Sequence, residues 1–181
     1  MPDVLLVAAT EQELAGSDGL VCGIGPVEAA VATARALALR PAAAVLHIGV
    51  AGGRGLASET LVIGAEAVYC DLAAAIPLVD RAPADARLLA AVQTVLPAAP
   101  TLPIGTSAAV GSVGRDVVVE AMEGFGVLRA ASLAGVPAIE VRAVSNEIGE
   151  PDRSRWQIAG ATRSLAAVTP ALLEAIAVAV R

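Results

Sequence analysis

The feature that most narrows the choice of fold is a set of short apolar runs, each stopping on a polar or glycine-rich turn. Residues 4–9 are uninterrupted and end at Thr10-Glu11-Gln12-Glu13-Leu14. Residues 43–48 are broken only by His47 and lead into Gly49-Val50-Ala51-Gly52-Gly53-Arg54-Gly55. A strand with one wet face alternates apolar and polar residues. A continuous run has no wet face, and such strands belong to parallel sheets covered by helices on both sides. Further strand signals cover 20–24, 61–70 with Gly64 read as a bulge, 102–110, 117–120 and 137–144.

Helical patterns fill the gaps. Pro26 suits a first helical position and Pro41 stops the helix it begins. Pro83-Ala84-Asp85 opens a second helix, with Leu88, Leu89, Val92, Val95 and Leu96 on one face. A third spans 123–134 with Gly135 as its cap, and the tail at 152–180 reads as an amphipathic helix broken near Pro170. Turns are expected at Gly16 to Gly19 and Gly111 to Gly114, and 71–83 is irregular. The alternation predicts an α/β protein: a single-domain three-layer α/β/α sandwich over residues 1–181 with a mixed, mostly parallel central sheet.

Composition excludes several functions. Hydrophobic residues make up 56% of the chain, but a membrane span needs about 20 nearly uninterrupted apolar residues, and Glu, Arg, Pro or Gly breaks every long tract. Net charge is −6, with no Lys and one each of Trp, Tyr and Phe. That lacks the basic patch and stacking platforms of nucleic-acid binding. Cys22 and Cys70 are too few to frame a fold of this size and form no metal-ligand pattern. With no leader in the first residues, a cytoplasmic protein acting on a small molecule is expected, without metal or cofactor.

Candidate site residues follow from strand ends, because ligands of parallel sheets sit in the crevice outside the carboxyl ends of the strands. Glu13 stands just past the first strand. It reads equally as the far half of a capping box with Thr10 and as a general base. The glycines after 43–48 suggest backbone held close to a ligand, making Ala51 and Gly52 substrate contacts. Met122-Glu123 stands at a helix start and Ser145-Asn146 at a strand end, so the two pairs face one crevice. Gly23-Ile24-Gly25 hints at a phosphate cradle, but no ribose-reading acid follows at the expected distance, and a tight turn explains both glycines. His47 reads as a hydrogen-bonded core residue. Glu140 and Arg142 share one strand face, as an ion pair or with Arg142 orienting an active carboxylate. Trp156 reads as a core or interface anchor.

In chain order, A-T-E-Q-E-L, G-I-G-P-V-E-A-A, G-V-A-G-G, A-M-E-G and V-R-A-V-S-N resemble the nucleoside phosphorylase and nucleosidase superfamily. The final third, from Met122 to Trp156, looks most like the futalosine hydrolases, which cleave futalosine to hypoxanthine and dehypoxanthine futalosine in a route to menaquinone. The resemblance implies a nucleoside substrate and a homodimer or higher homo-oligomer. By position, Glu13 matches the carboxylate that activates water, Met122 and Glu123 the ribose contacts, and Ser145 and Asn146 the pair that addresses the purine. Adenine-specific relatives carry Asp where this chain has Asn146. His47 stands where phosphorylases of the superfamily carry a phosphate-holding Arg, which favours hydrolysis over phosphorolysis. Between Glu13 and Gly23 the chain is shorter than those relatives, which place a longer helix and strand hairpin there. Tyr69 and Phe125 are the candidates for stacking on a base.

Overall fold

A computed structural model describes residues 3–72, 75–111 and 117–181. The first strand, β1 (Val4–Ala8), pairs in parallel with the short β2 (Leu20–Val21) on one side and β3 (Ala44–Gly53) on the other. Next to β3 runs β8 (Ala138–Glu147), also parallel. The rest of the eight-stranded sheet comprises β4 (Leu61–Tyr69), β5 (Arg81–Pro83), β6 (Thr101–Thr106) and β7 (Val119–Ala121). Antiparallel pairing joins β4 to β8, β4 to β5 and β3 to β7; β4–β6 and β6–β7 are parallel. The predicted mixed, mostly parallel sheet is therefore present. Its middle also closes into a circuit through β3, β8, β4, β6 and β7, which run lengths alone do not reveal.

Helices cover both faces. On one, α3 (Ala86–Val95) and α5 (Ile158–Ala179) set Leu88, Val92, Leu165, Leu172 and Ile176 against Leu46, Ile48, Ile139 and Val141. On the other, α2 (Pro26–Leu39) and α4 (Gly124–Leu133) set Ala29, Leu37, Val127 and Leu128 against Val7 and Val45. Each large aliphatic side chain so buried stabilises the fold by about 1.5–3 kcal/mol. A third cluster, Ala51, Val62, Ile104, Val119, Ala121 and Val144, comes from the five strands of the circuit.

Several elements differ in length from expectation. β3 and β8 continue to Gly53 and Glu147, so the glycine-rich turn and Ser145-Asn146 are strand rather than loop. In contrast, β2 keeps only two residues and β6 stops at Thr106. The bulge at Gly64 is present as a register shift between Gly64 and Glu66. Of the turn expected at Gly111 to Gly114, all but Gly111 lies outside the described residues. No break occurs at Pro170: α5 runs through it, because the residue is exposed and water can reach the carbonyl its missing N–H leaves unbonded. α5 is also long and apolar enough to pass for a membrane span; here it lies along the sheet with one face buried.

Candidate active site

Strand periodicity sets the site. On β8, Ile139, Val141 and Ala143 face α3 and α5, while Glu140 and Arg142 point to the opposite face with His47 and Gly49 of β3. Both faces are covered, so this second row of polar side chains is buried: His47, Glu140 and Arg142 are each 0% exposed. The arginine is the hub. Its Nε lies 3.2 Å from Glu140 Oε2, Nη1 lies 3.5 Å from Glu123 Oε2 and from the Val50 carbonyl, and Nη2 faces the His47 ring at 3.2–3.3 Å. Arg142 pairs with Glu140, as the ion-pair reading expects, and also comes within 3.5 Å of Glu123. A β-carbon at Gly49 would overlap the guanidinium and come within 2.9 Å of Glu13 Oε1. Glycine is required there by close approach rather than by backbone angle.

Glu13 closes the expected capping box and also reaches β3. Its Oε2 accepts from the Thr10 N–H at 3.1 Å and the Thr10 hydroxyl at 2.9 Å, closing the capping box of α1 (Glu11–Leu14). Its Oε1 accepts from the Val50 N–H at 2.9 Å. A carboxylate offers about four acceptor positions, so these three bonds fix the group and leave room for one more partner.

Glu123 occupies the N-cap position of α4 without capping it; the Thr106 hydroxyl serves the helix instead, accepting from Phe125 N–H at 2.8 Å. The Glu123 carboxylate is thereby released toward Arg142 and accepts at 3.1 Å from the N–H of Gly25, the residue ahead of α2. A carboxylate at a helix N-terminus is favourable, and it takes the amide that a phosphate cradle at Gly23-x-Gly25 would have used. Both glycines have positive φ, 84° and 97°, as the turn reading requires. Met122 is half-buried beside Glu123.

Toward the carboxyl end of β8, the Ser145 hydroxyl lies 2.7 Å from Asn146 Oδ1 and 3.2 Å from the Ala51 carbonyl. It has one proton, and the shorter contact takes it. Asn146 Nδ2 donates to the Glu147 carbonyl at 3.0 Å. Flipping the amide would set two oxygens together, so the orientation is determined: NH₂ keeps one hydrogen for a ligand. Gly52 packs against this amide, with Asn146 Nδ2 3.2 Å from where its β-carbon would be.

Burial, then the Arg142 charge, hold the His47 imidazole below its usual range, so it is neutral. Burial pushes Glu140 up, but the His47 hydrogen bond and Arg142 outweigh it and keep the carboxyl below its usual range. Burial works against the charge on Arg142 as well, yet Glu140, Glu123 and Glu13 together raise it. The buried Cys22 thiol, after β2, is pushed up to about 12 by burial and by Glu123.

The sequence reading missed the Val50 backbone, the Gly25 amide and the Glu140–His47 contact, all of which depend on which strands become neighbours. Tyr69 and Phe125 stack on each other, with centroids 5.1 Å apart. Trp156 is neither core nor exposed: its indole N–H donates to the Glu150 carbonyl at 3.1 Å and Arg153 lies over the ring. Among the described residues no group of His, Cys, Asp or Glu is arranged to hold a metal ion.

The chain is similar to known proteins in sequence and in fold. The chain is 34% identical to a futalosine hydrolase of Streptomyces coelicolor over 87% of its own length and 77% of that protein's. It is 36% identical to one of Acidothermus cellulolyticus, over 87% and 75%. Among solved structures, a futalosine hydrolase mutant of Helicobacter pylori superposes with TM-score 0.86 at 16% identity, over 96% of this chain and 99% of that one. A methylthioadenosine/S-adenosylhomocysteine nucleosidase from Colwellia psychrerythraea, solved with adenine, gives 0.85 at 19%, over 96% and 95%. At such identities these two show the fold alone. Residues 19–118 match the model of the phosphorylase superfamily, and with its futalosine hydrolase relatives this chain belongs to that superfamily.

Proposed function

We propose that the chain is a nucleosidase that hydrolyses the N-ribosidic bond of futalosine, releasing hypoxanthine. The observation that carries this is that Glu13 and Glu123 lie to either side of Arg142, in the middle of the β3–β8 pair, with the Asn146 amide four residues further along β8 toward its carboxyl end. Breaking the bond develops positive charge on the ribose and negative charge on the departing base. Glu13 takes a proton from the attacking water, Met122 and Glu123 hold the ribose, and Ala51 and Gly52 line its path. Asn146, oriented by Ser145, turns its remaining N–H toward the N7/O6 edge of a 6-oxopurine, where both atoms are acceptors; adenine presents a donor at the second position.

Water rather than phosphate is the nucleophile in this reading. The nitrogens of Arg142 are already directed at Glu140, Glu123, Val50 and His47, and neutral His47 supplies no guanidinium fork. A homodimer or larger oligomer is part of the proposal, supported by the exposed Ile24, Val27 and Val31 around the start of α2. Two free cysteines are consistent with the cytoplasm.

The deciding experiment is chromatography of products from futalosine, inosine and methylthioadenosine, each with and without phosphate. Hypoxanthine from futalosine at a phosphate-independent rate is expected; ribose 1-phosphate formed only with phosphate would establish a phosphorylase instead. Glu13→Gln should lower kcat by about 10²–10⁴.

A further inference from the structure

The buried pair behind Arg142 has more in it than stability explains. Glu140 directs a single oxygen, Oε2, to both Arg142 Nε at 3.2 Å and His47 Nδ1 at 3.6 Å; its Oε1 has no hydrogen-bond partner among the described residues. Space for it is cleared by two glycines: a β-carbon at Gly64 would lie 2.6 Å from Glu140 Cγ, and one at Gly124 would overlap the carboxylate. Burying an ion pair with an unsatisfied oxygen is unfavourable, and well-packed apolar residues in such places are often neutral or stabilising. The geometry is nonetheless specific. The His47 ring lies between the two charges: its Nδ1 is 3.6 Å from Glu140 Oε2, and both ring nitrogens are 3.2–3.3 Å from Arg142 Nη2.

We propose that Glu140, with His47 packed beside it, is a positioning residue for the reaction: it commits the Arg142 guanidinium to the Glu140 and Glu123 side and keeps it off Glu13. This inference rests on the reading of Glu13 as the proton acceptor. Arg142 and Glu13 are neighbours across Gly49, yet Glu13 takes its hydrogen bonds from Thr10 and Val50. If Glu140 lost its charge, Arg142 would redistribute toward the remaining carboxylates, Glu123 and Glu13. An arginine drawn to Glu13 makes that carboxylate a poorer base. Glu140 has a second effect of the same sign: with Glu13 and Glu123 it sets three carboxylates against one cation, so the site presents negative charge to the positive ribose of the transition state.

The groups that bear on Arg142 from the surrounding elements are Glu13 of α1, Cys22 after β2, His47 of β3, Glu123 ahead of α4 and Glu140 of β8. The test is the pH dependence of kcat and kcat/KM for N-ribosidic hydrolysis in wild type, Glu140→Gln, His47→Gln and Glu13→Gln. Expected for Glu140→Gln is a kcat about tenfold lower, little change in KM, and an acid limb moved down by about one pH unit. His47→Gln should move it the same way by less, whereas loss of the limb in that variant would assign it to His47 and overturn the proposal. An unmoved limb with kcat within about twofold of wild type in Glu140→Gln also overturns it. Should Glu140→Gln fail to fold, His47→Gln alone decides; should neither fold, the pair is structural and the positioning role falls. Normal turnover in Glu13→Gln would remove the base and this inference together, whereas an inactive Glu13→Gln beside an unmoved Glu140→Gln removes only the inference.

Discussion

At the scale of single residues, two positions separate chemistry from folding. Gly49 leaves room for the Arg142 head and approaches Glu13. Gly49→Ala should therefore destabilise by about 1–3 kcal/mol through overpacking, with kcat falling further than the folded fraction does. Urea titration beside initial rates would separate the two, and a rate loss matching the unfolded fraction would refute it. Asn146→Asp changes one atom of the amide that Ser145 orients. Replacing the donor NH₂ by a carboxylate oxygen should shift preference from 6-oxo to 6-amino purine nucleosides by roughly tenfold or more in kcat/KM, the order of a hydrogen bond to a buried polar group lost. Competition between inosine and adenosine analogues would measure it, and an unchanged ratio would count against Asn146 reading the base.

At the scale of elements, the helices carry rules that propensity alone handles poorly. Pro170 predicts a break, yet α5 runs unbroken over all its 22 residues, with Thr162, Leu165, Thr169, Leu172 and Ile176 buried along one face. Tertiary packing of that stripe outweighs an intrinsic penalty of about 3 kcal/mol for Pro in a helix interior. Pro170→Ala, at an exposed position, should then raise unfolding free energy by about 1–3 kcal/mol, read as a higher urea midpoint at unchanged slope. An unaltered midpoint would mean the local backbone is already adapted to proline. The start of α4 shows the opposite trade: Glu123 stands where a cap is wanted, but its carboxylate is used on Gly25 and Arg142 while Thr106 serves the helix.

For the whole molecule, buried ionisable groups make stability depend on pH at both ends. His47 and Glu140 hold protons less readily when folded than when unfolded. Stability from His47 is present above pH of about 6.5 and is lost as pH falls below it; that from Glu140 is present above about 4.5 and is lost further down. Cys22 has the reverse sign. Its folded value is raised from 9.0 to about 12, so its contribution is complete below 9 and is lost as pH climbs toward 12. Scanning calorimetry should show Tm falling from pH 7 to 5 and again above pH 9. His47→Gln should flatten the first decline and Cys22→Ala the second; declines that persist in these variants would place their origin elsewhere.

The sequence by itself determined the elements whose pattern is local: the continuous runs of β1 and β3, Pro26 opening α2, a helix with Leu88 and Val92 on its buried face, and the Thr10–Glu13 capping box. Spacing and motif also singled out Glu13, Glu123, Ser145 and Asn146, because polar residues at strand ends are conspicuous in so apolar a chain. Only the tertiary structure decided what meets what. Closure of the sheet through β3, β8, β4, β6 and β7 depends on pairings between segments far apart in the chain. That same pairing sets His47 beside Glu140 and brings Val50, Gly25, Glu13 and Glu123 around one arginine. A period-2 pattern says which residues share a face of one strand; which strand lies next to it, and hence whether a buried charge finds its partner, is settled when the sheet assembles.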